Sequence, residues 1–310
     1  MAASQSKLIT MTEAVERLVP NGSSVAIGLA LEGNIPFAAG HEIIRQRRRD
    51  LTLIGPISDM LFDQLISAGC VAEVIAAWVG NVSAGLAHGL RRAVEKGIPR
   101  SLSTRDHSNF SMSLALKAAA LGAPFIPTRS LLGSDLPHTN PDLIEITNPL
   151  NEHGEPLLLV RALRPDVAVV HVQRADETGN AHLWGTLGIT EDASLAARQV
   201  ILVAEEIVRR EVILSDPNRI FIPAFKVSAV VHEPGGAHPS PVQGYYNRHH
   251  AFYHDYHAAT RSHDGFEQWA QEWVYSLPNR TAYLEHLAGD TWQSLQKKHP
   301  ALAASIDYGY

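Results

Sequence analysis

The sequence predicts an α/β fold, an open and mostly parallel sheet with helices on both faces, followed by a helical C-terminal extension. Three observations carry that expectation. Short apolar runs such as DVAVVHV at 166–172 and QVILVAEEIV at 199–208 lack polar alternation, which is how strands buried on both faces read. Helix-like segments separate such runs, and strands alternating with helices pair in parallel. Beyond Pro241 the composition turns to aromatics and histidines, with Phe266, Trp269, Trp273 and Leu277 at helical spacing.

Residues 12–18 read as a short helix opened by a hydroxyl N-cap and ended before Pro20 and the turn pair Asn21-Gly22. Val25, Ala26 and Ile27 make a strand that runs into a glycine-bearing loop, 28–36, and a helix over 37–48. A strand at 51–54, a helix at 61–68, a strand at 74–78 and a helix over 83–96 follow, the last stopped by Gly97. Strand 101–103 leads to a long helix, 108–121, ended by Gly122. Further strands are expected at 125–127, 157–163, 166–172, 199–208 and 225–234. With no repeat, low-complexity tract or long linker in view, one α/β domain over 1–241 is expected, with 242–310 packed on it.

The 310 residues suffice for one large domain or two modest ones. Apolar residues make up 45% and charged residues 19%, an ordinary globular composition. A net charge of −6 and a pI of 6.2 supply no basic field for nucleic acid, and the run Arg45 to Arg49 is short enough to be a solvated helix end. Cys70 is the only cysteine, which excludes an internal disulfide and a multi-cysteine zinc site. No secretory pattern or apolar run of membrane-spanning length is visible, so a cytoplasmic, membrane-free protein is expected.

Open parallel sheets take ligands beyond the carboxyl ends of their strands, which directs attention to four loops. Residues 28–36 (GLALEGNIP) carry Gly28 and Gly33, where a backbone can approach a ligand closely, and Asn34 before a helix start. Neither GxGxxG nor GxxxxGK[ST] occurs there, which disfavours a dinucleotide site or a phosphate-binding P-loop. In STRDHSNF at 103–110, Asp106 or Ser108 caps the long helix, or His107, Ser108 and Asn109 offer hydrogen bonds to a carboxylate or thioester carbonyl. Arg129 and Ser134 lie in a third segment with Arg174 and Asp176, which read equally as a structural ion pair. GGAHPS at 235–240 places His238 among small residues, as a ligand contact or as a loop histidine satisfied by its neighbours.

In order along the chain, NGSSVAIGLALEGNIP, RDHSNFSMSLALKAAALGAPFIPTRSLLGSDL, VAVVHVQRADETGNAHLWG, ILVAEEIV, VVHEPGGAHPS and FEQWAQEWVYSL resemble the A-type half of the family I coenzyme A transferases, glutaconate CoA-transferase in particular. Leu29, Ala30 and Asn34 depart from the first signature, which has Gly, Phe and Gly there. The resemblance implies a CoA-transferase-like fold and a role as half of an enzyme, pairing with a B-type subunit in an A2B2 heterotetramer. In such enzymes a glutamate attacks the acyl-CoA to give an acyl anhydride, and CoA thiolate returns to form a glutamyl-CoA thioester. That glutamate belongs to the B-type partner, so no confident catalytic residue is expected on this chain. Glu32, Glu177 and His107 remain as lesser candidates, and a glutamate on a polar turn is usually just solvated.

Carried onto this sequence, the resemblance implies that Gly28, Gly33, Asn34, Asn81, Ser83, His107, Ser108, Asn109, Arg129 and Ser134 line the acyl-CoA cleft. It also implies no tightly bound cofactor, CoA thioester entering as substrate. The His250–His254 spacing would suit a helical metal pair, but no HExxH motif or nearby cysteine supports it, and no metal is expected. Two rival readings stand beside the transferase. One is a component of a CoA-thioester-dependent ring-cleaving hydrolase of the same fold, in which an acidic residue near the start of the long helix acts on water; here that stretch reads His107-Ser108-Asn109, with Asp106 the nearest acid. The other is a non-catalytic acyl-CoA-binding or regulatory protein.

Overall fold

The computed structural model describes residues 5–151 and 153–297. The chain enters through α1 (Met11–Leu18), where Thr10 and Glu13 cap each other's backbone reciprocally. Strand–helix units follow: β1 (Ser24–Ile27) and α2 (Phe37–Arg45), then β2 (Leu51–Ile57) and α3 (Asp59–Ser67). Next come β3 (Val71–Trp78), the short hairpin β4 (Gly80–Asn81) and β5 (Gly85–Leu86), and α4 (His88–Lys96). β6 (Ser103–Asp106) leads into α5 (Asn109–Ala120), and β7 (Phe125–Thr128), α6 (Leu136–Thr139), β8 (Leu143–Thr147) and β9 (Pro156–Arg161) form an excursion. The chain returns through β10 (Val167–Ala175), β11 (Ala181–His182), α7 (Thr190–Ala196), β12 (Gln199–Ile207), α8 (Arg210–Leu214) and β13 (Val227–His232). The tail holds α9 (His250–Ala259), α10 (His263–Ala270), a π-helical turn over Gln271–Tyr275, α11 (Arg280–His286) and α12 (Gly289–Leu295).

The main sheet runs β13-β12-β10-β1-β2-β3-β6, every one of these pairings parallel, with β11 added antiparallel on β10. Its residues divide by parity between two cores. On β10, Val167 and Val169 pack with side chains of α1, α2, α3 and the tail, while Ala168, Val170 and Val172 pack with α5 and α7. Both sets being apolar is why the strand reads as an unbroken run, and each such valine contributes roughly 1.5–3 kcal/mol on burial. The tail's Phe252, Tyr253, Tyr256, Phe266, Trp269 and Tyr283 belong to the same cluster as α2 and α3. Among the described residues no helix is long and apolar enough to cross a membrane.

Several expected elements change. The helix over 37–48 stops at Arg45, because Arg47 adopts a φ of 51° and turns the chain toward β2. The helix over 83–96 starts only at His88, since Asn81 and Gly85 build the β4–β5 turn first. Strand 101–103 lies at Ser103–Asp106, and 225–234 shortens to Val227–His232. The runs at 125–127 and 157–163 are strands outside the parallel sheet. They form a separate antiparallel sheet, β7-β9-β8, whose middle strand alternates between buried Leu158 and Val160 and partly exposed Leu157 and Leu159.

Candidate active site

The chain passes from β1 outward through β2, β3 and β6, then returns to the other side of β1 with β10. The β1/β10 boundary is therefore the sheet's switch point, where the connections leave in opposite directions and open a crevice at the carboxyl ends. Residues 28–36 sit over it. Gly28 has a φ of 70°, and a Cβ there would come within 2.7 Å of Ser58 Oγ, which donates to Ile27 O at 2.9 Å. Asn34, with a φ of 53°, donates from Nδ2 to His171 O on β10 at 3.2 Å and from its amide to Pro241 O at 3.0 Å, tying the loop across the switch point. Gly33 closes the turn by donating to Ala30 O. Leu29 and Ala30, the departures from the family signature, are buried at 3% exposure, and Leu29 O accepts from Ile189 N, so they face the protein interior.

Beyond β3, Asn81 is buried and structural: Oδ1 accepts from the amides of Ser83 and Ala84, both at 3.0 Å, and Nδ2 donates to Tyr253 O on α9. Ser83 Oγ accepts from Arg248 at 3.2 and 3.0 Å. Beyond β6, His107 continues the sheet by donating its amide to Ala76 O, and its ring Nδ1 lies 3.1 Å from Ser111 Oγ. Burial holds His107 neutral by pushing its pKa down to about 4. Ser108 caps α5, accepting from Ser111 N at 3.0 Å, and Asn109 stands exposed on the first turn. Arg129 and Ser134 are tied within the excursion, Arg129 to Glu155 at 3.4 Å and Ser134 to Leu131 O at 2.8 Å.

Glu32 keeps an exposed carboxylate 4.0 Å from Arg248 Nη1, while its carbonyl accepts from Ser240 Oγ. Glu177 lies on the turn beyond β10, its carbonyl accepting from Lys7 N. His238 is fully buried and satisfied, Nδ1 against Tyr283 Oη and Nε2 against His249 Nδ1, both at 2.9 Å. Arg174 pairs with Glu206 at 3.0 Å rather than with Asp176, which organises its own turn through Thr178 and Asn180.

Sequence reasoning missed Asp59 and Arg248. Asp59 is fully buried with a φ of 48°; Oδ1 accepts from Val82 N at 2.9 Å, and Oδ2 accepts from Arg248 Nη2 at 2.7 Å. Burial pushes its carboxyl pKa up, and the Arg248 guanidinium opposes that shift. Arg248 also lies 3.6 Å from the centre of the Tyr253 ring, within cation–π range. It therefore binds the tail to the loops after β2 and β3, and it brings Glu32, Asp59 and Ser83 around one cation.

These features define an α/β protein in which the loop at 28–36 is tied across the switch point of a parallel sheet. The family model for coenzyme A transferase matches residues 8–233, which span all seven parallel strands. The chain is 43% identical over 271 residues to the A-type half of 3-oxoadipate CoA-transferase from Pseudomonas knackmussii, covering 86% of this chain and 93% of the relative. The crystal structure of glutaconate coenzyme A-transferase from Acidaminococcus fermentans superposes with a TM-score of 0.88 at 30% identity, covering 94% of this chain and 96% of that one. A cholesterol ring-cleaving hydrolase IpdA subunit of Mycobacterium tuberculosis is 30% identical over 269 residues, 81% of this chain and 88% of the relative. The chain belongs to the coenzyme A transferase family, as an A-type subunit.

Proposed function

We propose that this chain is the A-type half of a two-component enzyme that moves CoA between an acyl-CoA and a free carboxylic acid, its B-type partner supplying the attacking glutamate. The observation that carries this reading is the match to A-type CoA-transferase subunits across nearly the whole chain. The geometry is consistent with it. Glu32 stands exposed on a polar turn, its carboxylate 4.0 Å from an arginine that is already paired with Asp59 at 2.7 Å. This chain's share is then a wall: the loop at 28–36, the Asp59–Arg248–Ser83 cluster and the start of α5, where Ser108 and Asn109 offer polar groups to an acyl oxygen. The relatives are named for 3-oxoadipate and glutaconate, both dicarboxylic acids, so such acids head the panel of acceptors. An A2B2 assembly in the cytoplasm completes the proposal.

The ring-cleaving hydrolase reading keeps one supporting observation, the 30% identity to the mycobacterial relative. Against it, α5 begins with Asn109 behind neutral His107, and the nearest acid, Asp106, ends β6. The test is co-expression with a B-type partner, followed by incubation with acyl-CoA and a labelled free acid. CoA appearing on the labelled acid supports the transferase. Release of free CoA without exchange, or full exchange activity in an Asn109→Ala complex, contradicts the assignment of reaction or of wall residue respectively.

A further inference from the structure

The excursion after α5 carries a surface that the fold leaves open. β9 is the middle strand of the antiparallel sheet β7-β9-β8, and its alternate residues Leu158 and Val160 pack with Leu143 and with Ala115 of α5 in a cluster of their own. Residues directly opposed in an antiparallel ladder share a face. The register therefore sets Leu157 beside Ile146, Leu159 between Pro127 and Ile144, and Phe125 beside Arg161, all on the face turned away from α5. An antiparallel sheet with one solvated face ordinarily alternates apolar inward with polar outward. Here the outward side is apolar too, and among the described residues none of Phe125, Ile144, Ile146, Leu157 and Leu159 is buried or belongs to any hydrophobic cluster of the molecule.

The two ends of this face carry opposite charges. Strand alternation puts Glu155, Leu157, Leu159 and Arg161 in one column along β9, the acid at one end and the base at the other, roughly 20 Å apart. Their partners within the chain are loose and partly exposed, Arg129 at 3.4 Å from Glu155 and Asp142 at 3.8 Å from Arg161. Such pairs are weak and easily exchanged. A column with this order complements itself: a two-fold axis between Leu157 and Leu159 brings each Glu155 over the second copy's Arg161 and each Leu157 over the second copy's Leu159. We propose that this face is where two copies of the chain meet, sheet on sheet with β9 antiparallel to β9.

Three strands of this length present roughly 300 Å², whereas a stable interface takes about 800 Å² from each partner. The contact is therefore weak between isolated chains and gains when a further partner holds the same two copies together. It concerns the chain alone and stands whether or not the proposed transfer reaction is right. The full chain is followed by sedimentation equilibrium up to about 1 mM. Reversible, concentration-dependent dimers are expected. Leu159→Asp, at the centre of the face, weakens them by about tenfold or more with an unchanged melting temperature. Should that variant melt early, Ile144→Lys on the exposed edge strand makes the same test. Charge exchange tests the register: Glu155→Arg or Arg161→Glu alone sets like charges together and weakens the dimer several-fold, and the two combined restore it. A chain that stays monomeric, dimers indifferent to Leu159→Asp and Ile144→Lys, or a combined exchange no better than its singles overturns the proposal. So does a Leu159→Asp chain that self-associates normally but no longer binds a B-type partner, which would hand the face to that partner.

Discussion

His107 is pressed behind the first turn of α5, where water does not reach the ring, and the consequence is measurable away from any substrate. Its pKa falls from 6.5 to about 4 through burial. Below pH 6.5 the unfolded chain therefore takes up a proton that the folded chain refuses. The stability due to the neutral ring is complete above that pH and drains away as pH falls toward 4, by at most about 3 kcal/mol. His107→Gln keeps a hydrogen-bonding side chain but cannot titrate. Urea unfolding at several pH values should show the variant losing less stability than the wild type between about pH 6.5 and 4; parallel pH profiles would refute the burial argument. His107 was legible in the sequence because it stands in a polar cluster before a long helix. The Asp59–Arg248 pair was not, because the partners lie 189 positions apart and neither belongs to a local motif.

At the scale of elements, the loop after β1 depends on one glycine. A side chain at Gly28 meets two costs together, a φ of 70° and a clash with Ser58, whose Cβ lies 2.9 Å from the ideal Cβ position. Gly22 supplies the control, with a φ of 82° and open space around it. Gly22→Ala is expected to cost about 1 kcal/mol from backbone conformation alone, and Gly28→Ala about 1–3 kcal/mol more as Ser58 gives way and releases Ile27 O. Equal urea midpoints for the two variants would show that the loop absorbs the clash. The strands feeding this loop were readable since burial on both faces leaves an apolar signature. The same logic misassigned 157–163: in LLLV every residue is apolar, so the sequence conceals that Leu157 and Leu159 are only partly covered and that the strand belongs to an antiparallel sheet. Helix ends were misjudged where a positive φ at Arg47, or the turn at Asn81 and Gly85, cut the periodic pattern short.

For the whole molecule, the reading as half an enzyme requires a docking face, and the carboxyl edge of the sheet supplies apolar groups that the fold leaves uncovered. Trp78, the last residue of β3, is 42% exposed, Leu86 on β5 60% and Phe110 on the first turn of α5 55%, all near the candidate wall residues in sequence. Exposed apolar side chains occur elsewhere as well, Leu150 at 94% among them, so exposure by itself distinguishes nothing. What singles out the edge is its adjacency to the cleft at which the proposed function sets a partner's glutamate. Leu86→Arg should weaken association with the B-type partner by tenfold or more, since a buried cation without a counter-charge is costly at an interface core, whereas Leu150→Arg should leave association unchanged. Sedimentation of the mixed chains measures both, with the melting temperature of each isolated chain confirming that neither substitution acts through folding. Association unaffected by Leu86→Arg would move the docking face away from this edge, and with it the partner glutamate from the loops at 28–36 and 81–83 that the proposed chemistry places opposite it.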